Sequence, residues 1–300
     1  MIALGLCIFV STLMFSCFRL FPRMNVRLED AIVINYMVAA TLSIAMAGPE
    51  HALERLSAPS SLAGAAMGVI FLYMFRKIGE CTQKLGLGVV AIATKMSMVL
   101  PMLVFIAMDP TDAFSWHKGA AIALAFPAVW FASTQSKKQR ETADQDDGGV
   151  TYAAASWTLP AIVFVGSGLI DLGFGWFSSP AHMSCDADRL SFAAIPFTMA
   201  AFIGVSRWIA LPRCAPRLDR ATVIGGIILG VINVGSLFFL LSAYQQMPLS
   251  RSAIVPMINL GVVLATALAG MAFFSERPSG RNLMGWLLAS TALVLLLQSN

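Results

Sequence analysis

Long apolar runs dominate this chain and limit what it can fold into. Only 12% of its residues are charged, against about 25% in an ordinary soluble domain. A hydrocarbon core about 30 Å thick needs about 20 apolar residues in each crossing helix. Because the runs are continuously apolar and do not alternate, they favour helices over the strands of a membrane barrel. We therefore predict an all-α membrane protein with ten transmembrane helices, at residues 2–18, 30–47, 61–79, 86–107, 114–134, 153–176, 190–211, 221–243, 252–274 and 282–298.

A short charged segment divides the ten predicted spans into two sets of five. Residues 136–150 read SKKQRETADQDDGGV, a composition typical of a linker. The string GAAMGVI at 64–70 in the third span returns as GIILGVI at 226–232 in the eighth, which indicates a duplicated unit. Because each half holds an odd number of spans, the second copy must cross the membrane in the opposite direction. We therefore predict two inverted five-helix repeats, at 1–135 and 151–300, joined by a cytoplasmic linker.

The placement of basic residues predicts the orientation of the chain. The loops after spans one, three, five, seven and nine hold fifteen Lys and Arg residues, whereas the other loops hold four. Positive residues accumulate on the cytoplasmic side of a membrane, so we expect both termini to lie outside. The chain is then a multi-pass protein of the cell (inner or plasma) membrane, and its basic residues orient it rather than bind nucleic acid. Near the cytoplasmic end of span three, Arg76 and Glu80 have the i, i+4 spacing of a local ion pair.

Lys95 is the most unusual residue of the spans, because no other charge occurs from Leu85 to Met108. A cation at the centre of a crossing helix costs about 2.5–3.5 kcal/mol on insertion scales, so it requires a counter-charge, a water-filled cavity or an anionic ligand. Away from the span ends, Asp171 is the other ionisable residue, and we expect it roughly 10 Å from Lys95 in height. Three roles for Lys95 are open: neutralising Asp171, binding an anionic substrate, or exchanging a proton.

Several neutral polar side chains also fall inside predicted spans. Alignment of the two repeats through Gln83 and Gln246 sets Asn259 beside the position that corresponds to Lys95. The second repeat thus offers an amide where the first offers an ammonium group. A lone polar residue in a bundle often only links neighbouring helices, and that alternative stays open for each of them. The predicted substrate-binding residues are Lys95, Thr94, Ser97, Asn259, Asn35, Tyr36 and Asn233, with Asp171 as the predicted coupling residue.

Other classes of site find little support in the sequence. The five cysteines lack the paired spacing of a metal or redox centre, no histidine falls inside a span away from its ends, and no P-loop is present. We therefore predict no metal, no cofactor and no catalytic residue. A polytopic membrane enzyme would need several convergent catalytic groups, and the spans lack paired carboxylates and a Gly-x-Ser-x-Gly motif.

The C-terminal part of the chain carries a family resemblance. Residues 242–296 contain AIVP at 253–256, the turn FSER at 274–277 and Gly285 at the start of the last span. In these features the segment resembles the EamA-like domain of the drug/metabolite transporter superfamily, and the first half, with AIATKMSMVLP at 91–101, is similar to a divergent copy. The resemblance implies a ten-helix carrier of small metabolites such as amino acids, often working outward. It also implies cytoplasmic termini, against the orientation expected from the charges.

The pattern and the resemblance together predict a secondary transporter, or permease, of a small polar metabolite. We expect an amino acid or another carboxylate-bearing solute to move by alternating access through a cavity lined by spans three, four, eight and nine. The expected partners are this substrate and the lipid bilayer, with a proton or other ion as the candidate coupling partner; no oligomeric state is predicted. Two alternatives stay open, a flippase for a lipid-linked substrate and a polytopic membrane enzyme.

Overall fold

Helices and the short connections between them make up the part of the chain that the structure describes. The computed structural model describes residues 2–51, 60–100, 103–104, 115–133, 157–177, 186–210, 216, 218–246, 251–276 and 278–298. Within those residues it contains helices and no strand, so the predicted all-α fold is confirmed. The α-helices are α1 Ile2–Leu20, α2 Leu28–Ala47, α3 Ser60–Leu85, α4 Leu87–Met96, α5 Trp116–Ser133, α6 Thr158–Phe177, α7 Asp186–Ala210, α8 Arg220–Gln246, α9 Arg251–Phe274 and α10 Gly280–Gln298, and a 3-10 helix occupies Phe21–Met24.

Each apolar run predicted from the sequence falls on one of these helices, although the fourth run continues beyond the end of α4. Among the described residues, four stretches are long and apolar enough to cross a membrane: Ile2–Met24, Leu28–Ala47, Ser61–Leu85 and Arg220–Leu240. The chain is therefore compatible with a membrane protein. The crossing by the other helices, the orientation and the inverted repeat stay predictions. The linker predicted at 136–150 lies outside the described residues.

Local sequence explains where two of the helices begin. The backbone of Arg27 is extended, and α2 starts directly after it with Glu29 and Asp30 in its first turn, where negative charge complements the helix dipole. At the start of α10, the Asn282 N–H donates to Ser279 Oγ at 3.3 Å, and the Ser279 N–H donates to Asn282 Oδ1 at 3.0 Å. This reciprocal cap satisfies N–H groups that have no partner inside the helix.

The helices group into two compact units, and neither unit is one half of the sequence. Unit 1 comprises Met1–Glu80 and Leu169–Pro248, and unit 2 comprises Cys81–Gly168 and Leu249–Asn300. Unit 1 contains α1, α2, α7, α8, most of α3 and the end of α6, whereas unit 2 contains α4, α5, α9, α10 and the start of α6. Each unit therefore combines helices from both predicted repeats.

Two contacts lined by glycine bring helices of unit 1 close together, and they use the string repeated in the sequence. In α3, a Cβ built on Gly68 would lie 2.6 Å from the Pro196 carbonyl oxygen of α7. In α8, a Cβ built on Gly226 would lie 2.6 Å from Ile34 Cβ of α2. The absence of these side chains lets the helix backbones approach closely, as small residues do in membrane helices. The third span therefore packs on the seventh, and the eighth packs on the second.

Unit 2 has an apolar core that depends on small residues. Its core combines alanines of α5 and α10 with larger side chains of α4. At Gly88 of α4 the approach to α10 is close, since a Cβ there would lie 2.6 Å from Trp286 Cζ2. The core residues are Ala91, Ile92, Met96, Val99, Ala121, Ala125, Ala128, Phe164, Val263, Ala289, Ala292 and Leu293.

Candidate functional site

The fourth span is interrupted next to Lys95. The sequence predicts one helix over 86–107, but α4 ends at Met96 and a turn at Ser97 and Met98 follows. The Leu100 N–H donates to the Ser97 carbonyl at 2.9 Å, a tighter turn than that of an α-helix. The residue after Leu100 is a proline, which has no N–H to donate to that carbonyl and whose ring crowds it. The uninterrupted fourth helix was therefore a wrong prediction, and the proline supplies the physical reason.

Lys95 lies in the last turn of α4 and is half-buried. The C-terminal end of a helix carries partial negative charge and carbonyl groups without intrahelical partners. This environment stabilises an ammonium group without a carboxylate. Within the residues of unit 2 that the structure describes, no carboxylate forms a salt bridge with Lys95.

Three of the predicted site residues surround the interruption. Asn259 of α9 donates through Nδ2 to Met98 Sδ at 3.0 Å, and a thioether is a weak acceptor. The Thr94 hydroxyl donates to the Val90 carbonyl at 2.8 Å, and the Ser97 hydroxyl donates to the Thr94 carbonyl at 2.6 Å. A hydroxyl has one proton to donate, so Thr94 keeps only its oxygen lone pairs for a ligand. Lys95 and Asn259 are the groups able to donate to one.

The N-terminal end of α4 is capped from a distant part of the chain. Leu87 N–H donates to both carboxylate oxygens of Glu276, at 3.1 and 3.2 Å. The preceding residue, Gly86, has φ +93°, a conformation that glycine adopts without strain. Sequence reasoning gave Glu276 no role beyond its place in the FSER turn. The available signal was Gly86, a helix-breaking glycine that separates two predicted spans.

The remaining predicted binding residues lie in unit 1. Asn233 of α8 donates through Nδ2 to Asn35 Oδ1 of α2 at 3.2 Å, and Asn35 is fully buried with no partner for its own Nδ2. The Tyr36 hydroxyl donates to the Phe71 carbonyl at 2.9 Å. The Tyr36 ring lies 6.0 Å from that of Phe197, centre to centre. Asn35, Tyr36 and Asn233 thus form a buried group that joins α2 to α3, α7 and α8.

The repeated strings relate the pair Asn35–Asn233 to a pair of aromatic residues. The strings are offset by 162 residues, which matches Asn35 to Phe197 and Asn233 to Phe71. Phe71 and Phe197 are themselves in contact, with ring centres 5.9 Å apart. The Asn35–Asn233 contact therefore corresponds to the Phe71–Phe197 contact, and each copy supplies one asparagine and one phenylalanine.

Asp171, the predicted coupling residue, lies on α6 in unit 1 and is exposed. Lys95, Thr94, Ser97 and Asn259 belong to unit 2. The structure thus gathers these four predicted residues at one end of α4. The other predicted residues, Asn35, Tyr36, Asn233 and Asp171, lie in unit 1. Their joint role in one site stays a prediction.

A separate charged cluster joins the ends of α2, α3 and α7. Asp30 is buried, accepts from Trp208 Nε1 at 3.0 Å and lies 3.5 Å from Arg27 Nε. Arg76 pairs with Glu29 across two helices. These contacts surround a small cleft in unit 1.

The local pair predicted between Arg76 and Glu80 is wrong. Arg76 contacts Glu29, whereas Glu80 pairs with Lys77 at 3.0 Å. An i, i+4 pair on a helix surface is worth only about 0.2–0.5 kcal/mol. A carboxylate on a neighbouring helix competes with it easily.

Comparisons with known proteins show a shared fold and give no function. No family model matches the chain. An uncharacterized protein of Haemophilus influenzae (strain ATCC 51907 / DSM 11121 / KW20 / Rd) is 23% identical over 281 residues, which cover 91% of this chain and 89% of that protein. A crystal structure of a protein with 14% identity covers 97% of this chain and 95% of its own, with a TM-score of 0.57. A likeness at this identity shows a shared fold over almost the full length and carries no function.

Proposed function

We propose that the protein is a membrane carrier of the EamA-like type, a secondary transporter that moves a small carboxylate-bearing solute by alternating access. The observation that carries the proposal is the interruption of α4 beside Lys95 and Asn259. Secondary transporters build their substrate and ion sites at discontinuous helices, where the backbone is irregular. A lysine in an apolar helix is retained at a cost, and a ligand site gives a reason for that cost.

The chemistry around Lys95 favours a zwitterion such as an amino acid. Lys95 and Asn259 provide donors for a carboxylate, because the Asn259 amide is engaged only by a thioether. The oxygens of Thr94 and Ser97 and the carbonyl end of α4 provide acceptors for a substrate ammonium group. Both kinds of group therefore occur within one turn of the interruption.

The architecture of a carrier with two inverted five-helix repeats is part of this proposal. Its support is the paired use of glycine in unit 1, where α3 packs on α7 and α8 packs on α2. If the first repeat supplies helices one to five and the second six to ten, these two contacts are the same contact made twice. Each unit contains helices from both repeats. This arrangement is expected when two related halves exchange helices with each other.

Ligand-induced stabilisation of the purified protein tests the proposal. The panel contains amino acids, organic acids and phosphorylated metabolites, and any stabilising compound is then measured for uptake into proteoliposomes. A ligand at 100 times its Kd stabilises the folded state by about 2.7 kcal/mol. Lys95→Met should abolish both the stabilisation and the uptake while the protein stays folded, because the substitution removes a charge and keeps the apolar volume.

Lys118→Met is the matched control. Lys118 is also a buried lysine of unit 2, on α5, and its loss should leave the ligand-induced stabilisation in place. Uptake by the Lys95→Met protein at the native rate would remove Lys95 from the mechanism. Stabilisation by lipid-linked compounds alone would replace the carrier with a flippase.

A further inference from the structure

We infer that Glu276 is the positioning residue for Lys95, because its carboxylate fixes the opposite end of the short helix that carries Lys95. The consequence for transport rests on the proposed function, whereas the positioning itself does not. Both residues belong to unit 2, and α4 is the element that connects them.

The position of Glu276 is itself well determined. It lies in the connection between α9 and α10, and its own N–H donates to the Gly270 carbonyl at 3.0 Å. The preceding residue, Ser275, has φ 53°, the left-handed conformation in which helices commonly end. The carboxylate therefore approaches α4 from an anchored main chain.

Two glycines make room for this carboxylate. A Cβ built on Gly86 would lie 2.7 Å from Glu276 Oε1, and one built on Gly270 would lie 2.7 Å from Oε2. Any larger residue at either place would displace the carboxylate. Residues from two distant parts of the sequence thus form one close contact at the N-terminus of α4.

The length of α4 explains why its cap affects its other end. The helix has ten residues, and isolated helices shorter than about 12–15 residues are marginal in water. A carboxylate at the first turn satisfies free N–H groups and complements the dipole. Lys95 in the last turn complements the same dipole at the opposite end. Loosening of the first turn is therefore expected to reach Lys95, about 15 Å away along the helix axis.

Amine labelling of the full-length protein measures the position of Lys95 without any ligand. The purified protein is treated with trinitrobenzenesulfonate, and the modification rate of each lysine is read by mass spectrometry of its peptide. Glu276→Ala should raise the rate at Lys95 by about fivefold, the local opening expected from the loss of a cap. The modification rate at Lys118, which is buried in the same unit, should stay within about twofold of the native rate. Lys118 lies on α5, and loss of a cap loosens only the helix that it caps.

Conservative variants separate positioning from a general loss of stability. Glu276→Gln keeps an oxygen acceptor at the same reach and should restore most of the protection of Lys95, whereas Glu276→Asp is one methylene shorter and should not. Ser279→Ala removes the comparable cap of α10, the hydroxyl that accepts from the Asn282 N–H, and should leave Lys95 unchanged. If Glu276→Ala does not fold, the modification rates of Lys95 in the Glu276→Gln and Glu276→Asp variants are compared, and their difference tests the inference.

Two results would overturn the inference. One is a Lys95 rate unchanged in the Ala and Asp variants, and the other is a parallel rise at Lys95 and Lys118. Because labelling needs no substrate, a failed ligand screen bears on the proposed function alone.

Discussion

The two units handle their polar groups in different ways. In unit 1, polar side chains contact one another across helices: Asn35 with Asn233, Arg76 with Glu29, and Trp208 with Asp30. In unit 2, Lys95 lies at the broken end of a helix, and the described part of that unit supplies it with no carboxylate partner. Contacting pairs stabilise a fold, whereas a cation held by a helix end is available to a ligand. The difference points to unit 2 as the place where the proposed substrate binds.

The largest effect is expected where the helix backbones of unit 1 are closest. Gly68→Val should lower the free energy of unfolding by about 3 kcal/mol, because the new side chain meets the backbone of α7. Gly230→Val, at the position that corresponds to Gly68, should cost a similar amount, because a Cβ there would lie 2.9 Å from the Asn35 carbonyl oxygen of α2. Titration with SDS in mixed micelles measures both values.

Gly5→Val in α1 is the control for these variants. A Cβ at Gly5 meets nothing within 4 Å, so the change should stay within about 0.5 kcal/mol. If Gly230→Val were as stable as the native protein while Gly68→Val was not, the two contacts would not be equivalent copies.

A smaller effect is expected from the charged cluster of unit 1, and burial decides its size. The Asp30 side chain is 3% exposed and that of Glu29 is 46% exposed. Asp30→Ala should cost about 2 kcal/mol, since it removes a buried carboxylate and leaves the Trp208 N–H without its acceptor. Glu29→Ala should cost at most about 1 kcal/mol, as exposed ion pairs do. Equal losses for the two variants in the same titration would contradict this order.

The smallest effect is expected at the amide pair. Asn35→Leu or Asn233→Leu alone should cost about 1 kcal/mol, because each leaves one buried amide without a partner. The double variant should return to within about 0.5 kcal/mol of the native value, since both polar groups are then removed. A double-mutant cycle in the same assay gives the coupling.

The amide pair also tests the contrast between the units. We expect the double variant to keep the ligand-induced stabilisation that Lys95→Met abolishes. If both proteins lost that stabilisation, the site would include residues of unit 1, and substrate binding would not distinguish unit 2 from unit 1.

Apolar run length was enough to predict where the helices lie. The run predicted at 30–47 became α2 at Leu28–Ala47, and the run at 282–298 became α10 at Gly280–Gln298. Hydropathy reports such segments well because burial in lipid demands about 20 apolar residues. It does not report a break inside a run, since Ser97 and Met98 are compatible with a helix. The proline after Leu100 is visible in the sequence, but run length takes no account of it.

Partners across helices were harder to predict than the helices. Lys95 was recognised from its isolation in the sequence, whereas Glu276 acts on a residue 189 positions away, and no local pattern records that contact. The pairing of Asn35 with Asn233 was missed for the same reason. Spacing along one helix, as for Arg76 and Glu80, gave a wrong partner because the neighbouring helix offered a better one.

Each unit contains helices from both halves of the sequence, and this arrangement determines when each unit can be completed during synthesis. Asn35 is synthesised long before Asn233, which follows 198 residues later. During that interval Asn35 lacks its Asn233 partner, and the glycine face of α3 lacks the helix α7 on which it packs. Unit 1 is completed only with α8, and unit 2 only with α10. Two fragments cut in the linker at 136–150 should therefore be unable to form either unit alone and should form both when synthesised together.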